Sequence, residues 1–154
     1  MNISLCTDEN FVMPALVCIT SIFENNKGEH FSVYILTDGI SEKAELKFLR
    51  LADIYKQEIF IKTIDKRCFD GLTVNERFPV SMYYRFLLPD MLQKEEKVLY
   101  LDCDIIVRHS LKPLYDIDLY GKAIAAVVAE SCDDIVFENT LLLEGKYFNS
   151  GVLL

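Results

Sequence analysis

The sequence predicts an α/β fold with a mostly parallel central sheet and flanking helices. Three observations carry this. Short apolar, β-favouring runs alternate with helix-length amphipathic stretches over the first 64 residues. Val98–Leu101 is an unbroken apolar run, as expected of a strand buried on both faces of a parallel sheet. It runs into Asp102-Cys103-Asp104, so two carboxylates fall at the carboxyl end of a strand, where open α/β sheets bind ligands.

Asn2–Cys6 is a short first strand, and Thr7-Asp8-Glu9-Asn10 breaks its apolar pattern. A helix follows from Met13 to Glu24, with Leu16, Ile19, Thr20 and Phe23 at helical spacing and Pro14 in its first turn. Asn25-Asn26-Lys27-Gly28 supplies the chemistry that ends it. His30–Thr37 is the second strand and Asp38-Gly39 a turn. Ser41 caps a helix from Glu42 to about Tyr55, with Leu46, Leu49 and Ile54 as its apolar face and Lys43, Lys47 and Arg50 on the solvated side. Ile59–Ile64 is the third strand, and this order predicts parallel strands joined by right-handed crossovers. Residues 66–79 read as loop. Ser81–Leu88 reads as helix, because Met82, Tyr83, Phe86 and Leu87 lie on adjacent helical positions. After the two acids come a turn at Leu111–Leu114, a second buried strand over Ala123–Val128, and a final strand over Tyr147–Leu154. The chain stops inside that strand, so a domain truncated at its C-terminus is expected, with an uncovered edge hidden by self-association or by a second polypeptide. Turnover by such a chain is expected to be weak or absent, with binding better preserved.

The length of 154 residues suits one domain with a sizeable core, residues 1–154. Apolar residues make up 51% of the chain, which excludes a disordered protein. Acids outnumber bases 24 to 16, which argues against non-specific nucleic-acid binding. A phosphate ligand would then need local cations, from a metal or from placed basic side chains. The five cysteines, Cys6, Cys18, Cys68, Cys103 and Cys132, show no CxxC spacing and suggest neither a disulfide framework nor a zinc site. Free thiols fit a reducing cytoplasm. No basic leader precedes Asp8 and no apolar run reaches membrane-spanning length, so any membrane contact is expected to be peripheral, at the inner face.

Two carboxylates one residue apart at a buried strand end repel each other and lose hydration. A divalent cation relieves both costs, and hard oxygen ligands select Mg²⁺ or Mn²⁺, which complete their shells with substrate phosphates. The plainer reading of Asp-x-Asp is a turn or a solvated strand end.

The chain resembles glycosyltransferase family eight, retaining enzymes that include glycogenin and bacterial lipopolysaccharide galactosyl- and glucosyltransferases. The resemblance rests on Ser4-Leu5-Cys6-Thr7-Asp8-Glu9-Asn10-Phe11, on Ser81-Met82-Tyr83-Tyr84-Arg85-Phe86, on Val98–Asp104, on Pro113-Leu114-Tyr115, and on Phe148-Asn149-Ser150-Gly151-Val152-Leu153. It implies the Rossmann-like GT-A fold. It also implies a UDP-sugar donor, UDP-glucose or UDP-galactose, with a divalent metal, Mn²⁺ or Mg²⁺, and a saccharide acceptor such as lipopolysaccharide or another cell-surface glycan. By the same resemblance the Cys6 and Thr7 backbone and the Asp8 carboxylate face uracil, Asn10 meets the ribose, and Phe11 stacks on the base. Asp102 and Asp104 hold the metal, and the Cys103 backbone lies near the ribose. Arg85 supports the donor through a phosphate or an acidic partner, and Asn149 bonds the donor sugar or acceptor. Glu130 would bind sugar hydroxyls, displaced by one position because Ala129 precedes it. The family's third metal ligand, a histidine, is expected beyond Leu154.

On the residues alone, plainer readings stand beside these. Asp8 is also a helix N-terminal acid, Phe11 a core residue, Arg85 a solvated helix arginine, and Asn149 a strand-end polar group. His109 reads as a surface residue. Two other functions remain open: a nucleotide-binding module without transfer activity, and a phosphatase of the haloacid dehalogenase type, whose nucleophile would be Asp102.

Overall fold

The computed structural model describes residues 1–74, 79–128 and 148–154. Its centre is a six-stranded sheet of β1 (Asn2–Cys6), β2 (Ser32–Thr37), β3 (Glu58–Thr63), β4 (Leu99–Leu101), β5 (Ala126–Val128) and β6 (Phe148–Leu153) in the order β3-β2-β1-β4-β6-β5. The pairs β2–β3, β1–β2 and β1–β4 are parallel, while β4–β6 and β5–β6 are antiparallel. The expected α/β class is present, with an antiparallel flank on the parallel sheet.

Strand alternation builds two cores, one on each face. Val33 and Ile35 of β2 join Ile3, Leu5 and Leu99 against α1 (Val12–Asn25) and α2 (Glu42–Tyr55). Tyr34 and Leu36 of the same strand point the other way, into a cluster with Phe69, Tyr84 and Leu92. Ser4 is wholly buried in β1, and its hydroxyl donates to the Tyr34 carbonyl at 3.2 Å, so the polar group is not orphaned.

Helix α1 buries Val12, Ala15, Cys18, Ile19, Ile22 and Phe23. Helix α2 starts as expected, with the Ala44 amide donating to the Ser41 hydroxyl at 3.2 Å. Its buried face is not the expected one. Ala44 and Phe48 are buried, with Leu51, Ala52 and Tyr55 packed beside them. Leu46, Leu49 and Ile54 are 47%, 51% and 71% exposed. Positions 44, 48, 51 and 55 recur every three or four residues, whereas 49 and 54 are five apart and cannot share a stripe.

Three further expectations are corrected. The 81–88 helix is a 3-10 helix, Val80–Leu87, which passes into the one-turn α3 (Leu88–Met91). Pro79 and Pro89 frame it; neither offers an amide, and the Pro79 N-cap makes no side-chain cap bond. The 66–79 loop contains a 3-10 turn at Lys66–Phe69 that buries Phe69. The strand expected over 123–128 begins only at Ala126 and is exposed, because β5 pairs with β6 alone and ends the sheet. The open edge expected at the last strand is also absent. β6 lies between β4 and β5, and the Leu154 amide donates to the Ala125 carbonyl at 3.0 Å. Lys112–Tyr115 forms a short α4. Among the described residues no helix is long and apolar enough to cross a membrane.

Candidate nucleotide-sugar site

Strand order decides where a ligand can sit. From β1 the chain crosses to β2 and then β3 on one side, and β4 returns to the other side of β1. The carboxyl ends of β1 and β4 therefore flank a switch point, where the following loops diverge and leave a crevice. A cleft of about 150 Å³ opens there. Cys6, Thr7 and Phe11 line it from the β1 side, and Tyr100, Asp102, Cys103 and Asp104 from β4. Its third wall is Pro79, Ser81, Met82 and Arg85. The 3-10 winding, at about three residues per turn, keeps positions 79, 82 and 85 on one side, where an α-helix would rotate them out of line.

The loop after β1 is tied down at several points. The Thr7 amide donates to the Leu36 carbonyl at 2.9 Å. Asp8 Oδ1 accepts from the amides of Asn10 at 2.9 Å and Phe11 at 3.1 Å, so Asp8 does cap the 3-10 turn Glu9–Phe11. The Glu9 carboxylate accepts from the Ser41 amide at 2.6 Å and the Ser41 hydroxyl at 2.8 Å, which fastens the loop to the start of α2. Phe11 is 46% exposed at the cleft and is not a core residue. Asn10 is exposed next to it.

The two strand ends are joined by sulfur. The Cys103 thiol donates to the Cys6 carbonyl at 3.1 Å. Burial pushes the Cys6 thiol up to about 12, against the pull of the Arg85 guanidinium, and raises Cys103 further. Both stay protonated at neutral pH and neither offers a thiolate nucleophile.

Arg85 is no solvated arginine: its side chain is 11% exposed. Nε donates to the Met82 carbonyl at 2.8 Å and Nη1 to the Ser150 carbonyl at 2.5 Å. Nη2 lies 3.1 Å from Asp102 Oδ1, and the guanidinium sits 4.5 Å from the centre of the Tyr100 ring. The Tyr100 hydroxyl donates to the same Oδ1 at 2.6 Å. The Asp102 amide donates to the Gly151 carbonyl at 2.8 Å, and the Gly151 amide to Asn149 Oδ1 at 2.8 Å. A Cβ on Gly151 would fall 2.8 Å from Asp102 Oδ2 and 3.1 Å from Asn149 Oδ1. Glycine is needed at 151 for close approach.

Cys6, Thr7, Phe11, Arg85, Asp102, Cys103 and Asp104 thus line one crevice. Asp8 and Asn10 lie in the loop beside it and do not line it, and Asn149 is not in its lining either, although its Oδ1 and Asp102 Oδ2 both lie near the Gly151 Cα. Glu130 lies outside the described residues. Asp104 is exposed at the rim. Among the described residues no cluster of three or more metal-ligating side chains occurs. The two carboxylates nonetheless suit a hard cation that takes its other ligands from phosphates and water. Asp102 Oδ2 accepts no hydrogen bond from the described residues. Tyr100 and Gly151 touch Asp102 or its neighbours, and neither was assigned a role from the sequence. The signal for Tyr100 was its place two residues before Asp102, on the same side of an otherwise aliphatic strand.

A mixed sheet with a crevice at its switch point, rimmed by an Asp-x-Asp pair, is the Rossmann-like architecture of the GT-A type. Residues 2–154 match the model for glycosyl transferase family 8, and the chain belongs to that family. It is 33% identical to a lipopolysaccharide 1,2-glucosyltransferase of Escherichia coli, over 99% of this chain and 46% of that protein. It is 31% identical to a lipopolysaccharide 1,3-galactosyltransferase of Salmonella typhimurium, over 99% of this chain and 47% of the other. The chain thus spans about half the length of the curated relatives it matches. Among solved structures it superposes on galactosyltransferase LgtC, in complex with donor and acceptor sugar analogs, with a TM-score of 0.82 at 28% identity, covering 99% of this chain and 56% of that one.

Proposed function

We propose that this chain is the donor-binding part of a retaining hexosyltransferase that takes a UDP-sugar, UDP-glucose or UDP-galactose, and passes the hexose to a saccharide such as lipopolysaccharide. The observation that carries the reading is the cleft at the β1/β4 switch point, with the capped Asp8 loop on one side and Asp102 and Asp104 on the other. The relatives named for lipopolysaccharide glucosyl and galactosyl transfer support the acceptor class and the two donor sugars.

In this reading Asp8, with Oδ1 bound to backbone amides, turns Oδ2 toward the uracil N–H, and Phe11 offers its ring face to the base. Asn10 takes the ribose, and the backbone at Cys6, Thr7 and Cys103 forms the floor. Asp102 and Asp104 hold Mn²⁺ or Mg²⁺ against the diphosphate. The bound ion supplies charge neutralisation for UDP as a leaving group. Arg85 contributes positive charge near the donor while keeping Asp102 in place. Asn149 and Glu130 are assigned to sugar hydroxyls. The free thiols Cys6, Cys18, Cys68 and Cys103 agree with a cytoplasmic setting, with peripheral contact to the inner face of the membrane.

A thermal-melt comparison tests the reading. UDP with Mn²⁺ at about a hundred times its dissociation constant should stabilise the chain by about 2.7 kcal/mol, and inorganic phosphate with Mg²⁺ should do much less. In calorimetry Asp104→Asn should weaken UDP binding with Mn²⁺ far more than UDP binding without metal. Stabilisation by phosphate or vanadate but not UDP would overturn the proposal in favour of a phosphatase.

A further inference from the structure

We propose that Tyr100 is the positioning residue that fixes Asp102 for cation binding, an inference that rests on the metal-dependent function proposed above. Strand geometry brings the two together. Residues 100 and 102 are two apart at the end of β4, so their side chains leave the same face. Tyr100 is 3% exposed, and its hydroxyl meets Asp102 Oδ1 at 2.6 Å. Arg85 lies over the same ring at 4.5 Å and reaches the same oxygen at 3.1 Å. Two donors therefore converge on Oδ1, while Oδ2 accepts no hydrogen bond from the described residues. Oδ2 lies instead beside Gly151, where any Cβ would stand 2.8 Å away.

This divides the labour of one carboxylate. A terminal carboxylate torsion is broad, and a freely turning Asp102 would lose that freedom on binding an ion. With Oδ1 held by phenol and guanidinium, Oδ2 is already aimed and the ordering cost is met by the fold. Arg85 also serves the Met82 and Ser150 carbonyls, so its place is set by three partners and not by Asp102 alone.

The test is Tyr100→Phe in the full chain, which keeps the ring under Arg85 and removes only the hydroxyl. Mn²⁺ affinity with UDP present, read from the electron paramagnetic resonance of free Mn²⁺, should fall about tenfold. Binding of UDP without metal should stay within about twofold of the parent chain, because the base loop is untouched. If the variant does not fold, 3-fluorotyrosine placed at position 100 carries the test. Its fluorine resonance should shift when Mg²⁺ is added with UDP, and a resonance that does not move overturns the proposal. Equal losses with and without metal would mean a structural role and overturn it too. A parent chain that binds Mn²⁺ and loses it on Asp104→Asn, but not on Tyr100→Phe, sinks this inference and leaves the functional reading standing. A parent chain that binds no Mn²⁺ in the presence of UDP sinks both.

Discussion

At the scale of single residues, the site turns on the unequal surroundings of Asp102's two oxygens. Oδ1 is committed to Tyr100 and Arg85, and Oδ2 depends on the absence of a side chain at Gly151. An ordinary exposed aspartate would swing away from an added methyl group. This one cannot do so without breaking the 2.6 Å bond to Tyr100 and the pair with Arg85. Gly151→Ala should therefore destabilise the chain by about 1–3 kcal/mol in urea unfolding, the usual range for forced overpacking. A substituted chain as stable as its parent would mean that Asp102 moves freely. The acids themselves were legible in sequence, because two adjoining carboxylates at the end of an aliphatic strand are costly unless a cation or a basic side chain offsets their charge. The company they keep was not. Gly151 meets Asp102 only because β4 pairs with β6, about fifty residues away in sequence, and no local pattern records that pairing, whereas Tyr100 lies two residues before Asp102. Asp8 and Asn149 bear out the plainer readings of the sequence: Asp8 Oδ1 accepts from two backbone amides and Asn149 Oδ1 from one.

At the scale of elements, the loop after β1 owes its shape to a neighbour. Glu9 accepts from both the amide and the hydroxyl of Ser41, and Ser41 in turn caps α2. Those two bonds hold the Glu9 carboxyl below its ordinary 4.5. A lowered carboxylate value stabilises the fold at pH above the ordinary value and loses that contribution as pH falls through the folded-state value. Glu9→Gln should therefore flatten the acid side of the stability profile, starting near the ordinary 4.5 and going down, and change little at neutral pH beyond a constant offset. Ser41→Ala should lower stability at neutral pH by about 1 kcal/mol, as a lost N-cap does. Melting curves over an acid pH series separate the two; a Glu9→Gln profile parallel to that of the parent would remove Glu9 from the account. The cap on α2 was readable from Ser41 because capping is local. The face was not, because Leu46, Leu49 and Ile54 outweigh Ala44 and Phe48 in apolar content while the core needs a stripe of constant direction. The 3-10 helix at Val80–Leu87 was hidden for a related reason: over eight residues the periods of three and 3.6 barely separate, and the flanking prolines were the only local hint.

At the scale of the whole molecule, the alternation of strands and helices made the parallel half of the sheet legible, and the order β3-β2-β1-β4 then dictates the crevice. The antiparallel β5–β6 flank carried no such signal; two exposed valines in β5 look in sequence like core. The two cores on opposite faces share the strands β1 and β2, so opening one should expose the other. The cysteines report on this directly. Cys68 is exposed, while Cys18 in α1 is fully buried and Cys103 after β4 is 6% exposed. Cys6 closes β1, and burial raises its thiol and that of Cys18 to about 12. In the folded chain at neutral pH, iodoacetamide should modify Cys68 promptly and leave Cys6, Cys18 and Cys103 nearly untouched. Across a urea series these three thiols should become reactive at one common midpoint, each site followed by peptide mass spectrometry. A single transition is the outcome expected of one domain whose sheet couples the loop after β1 to the acid pair. Reaction of Cys103 at clearly lower urea than Cys18 would show the β4 side opening by itself, and would separate the stability of the acid pair from that of the parallel sheet that carries it.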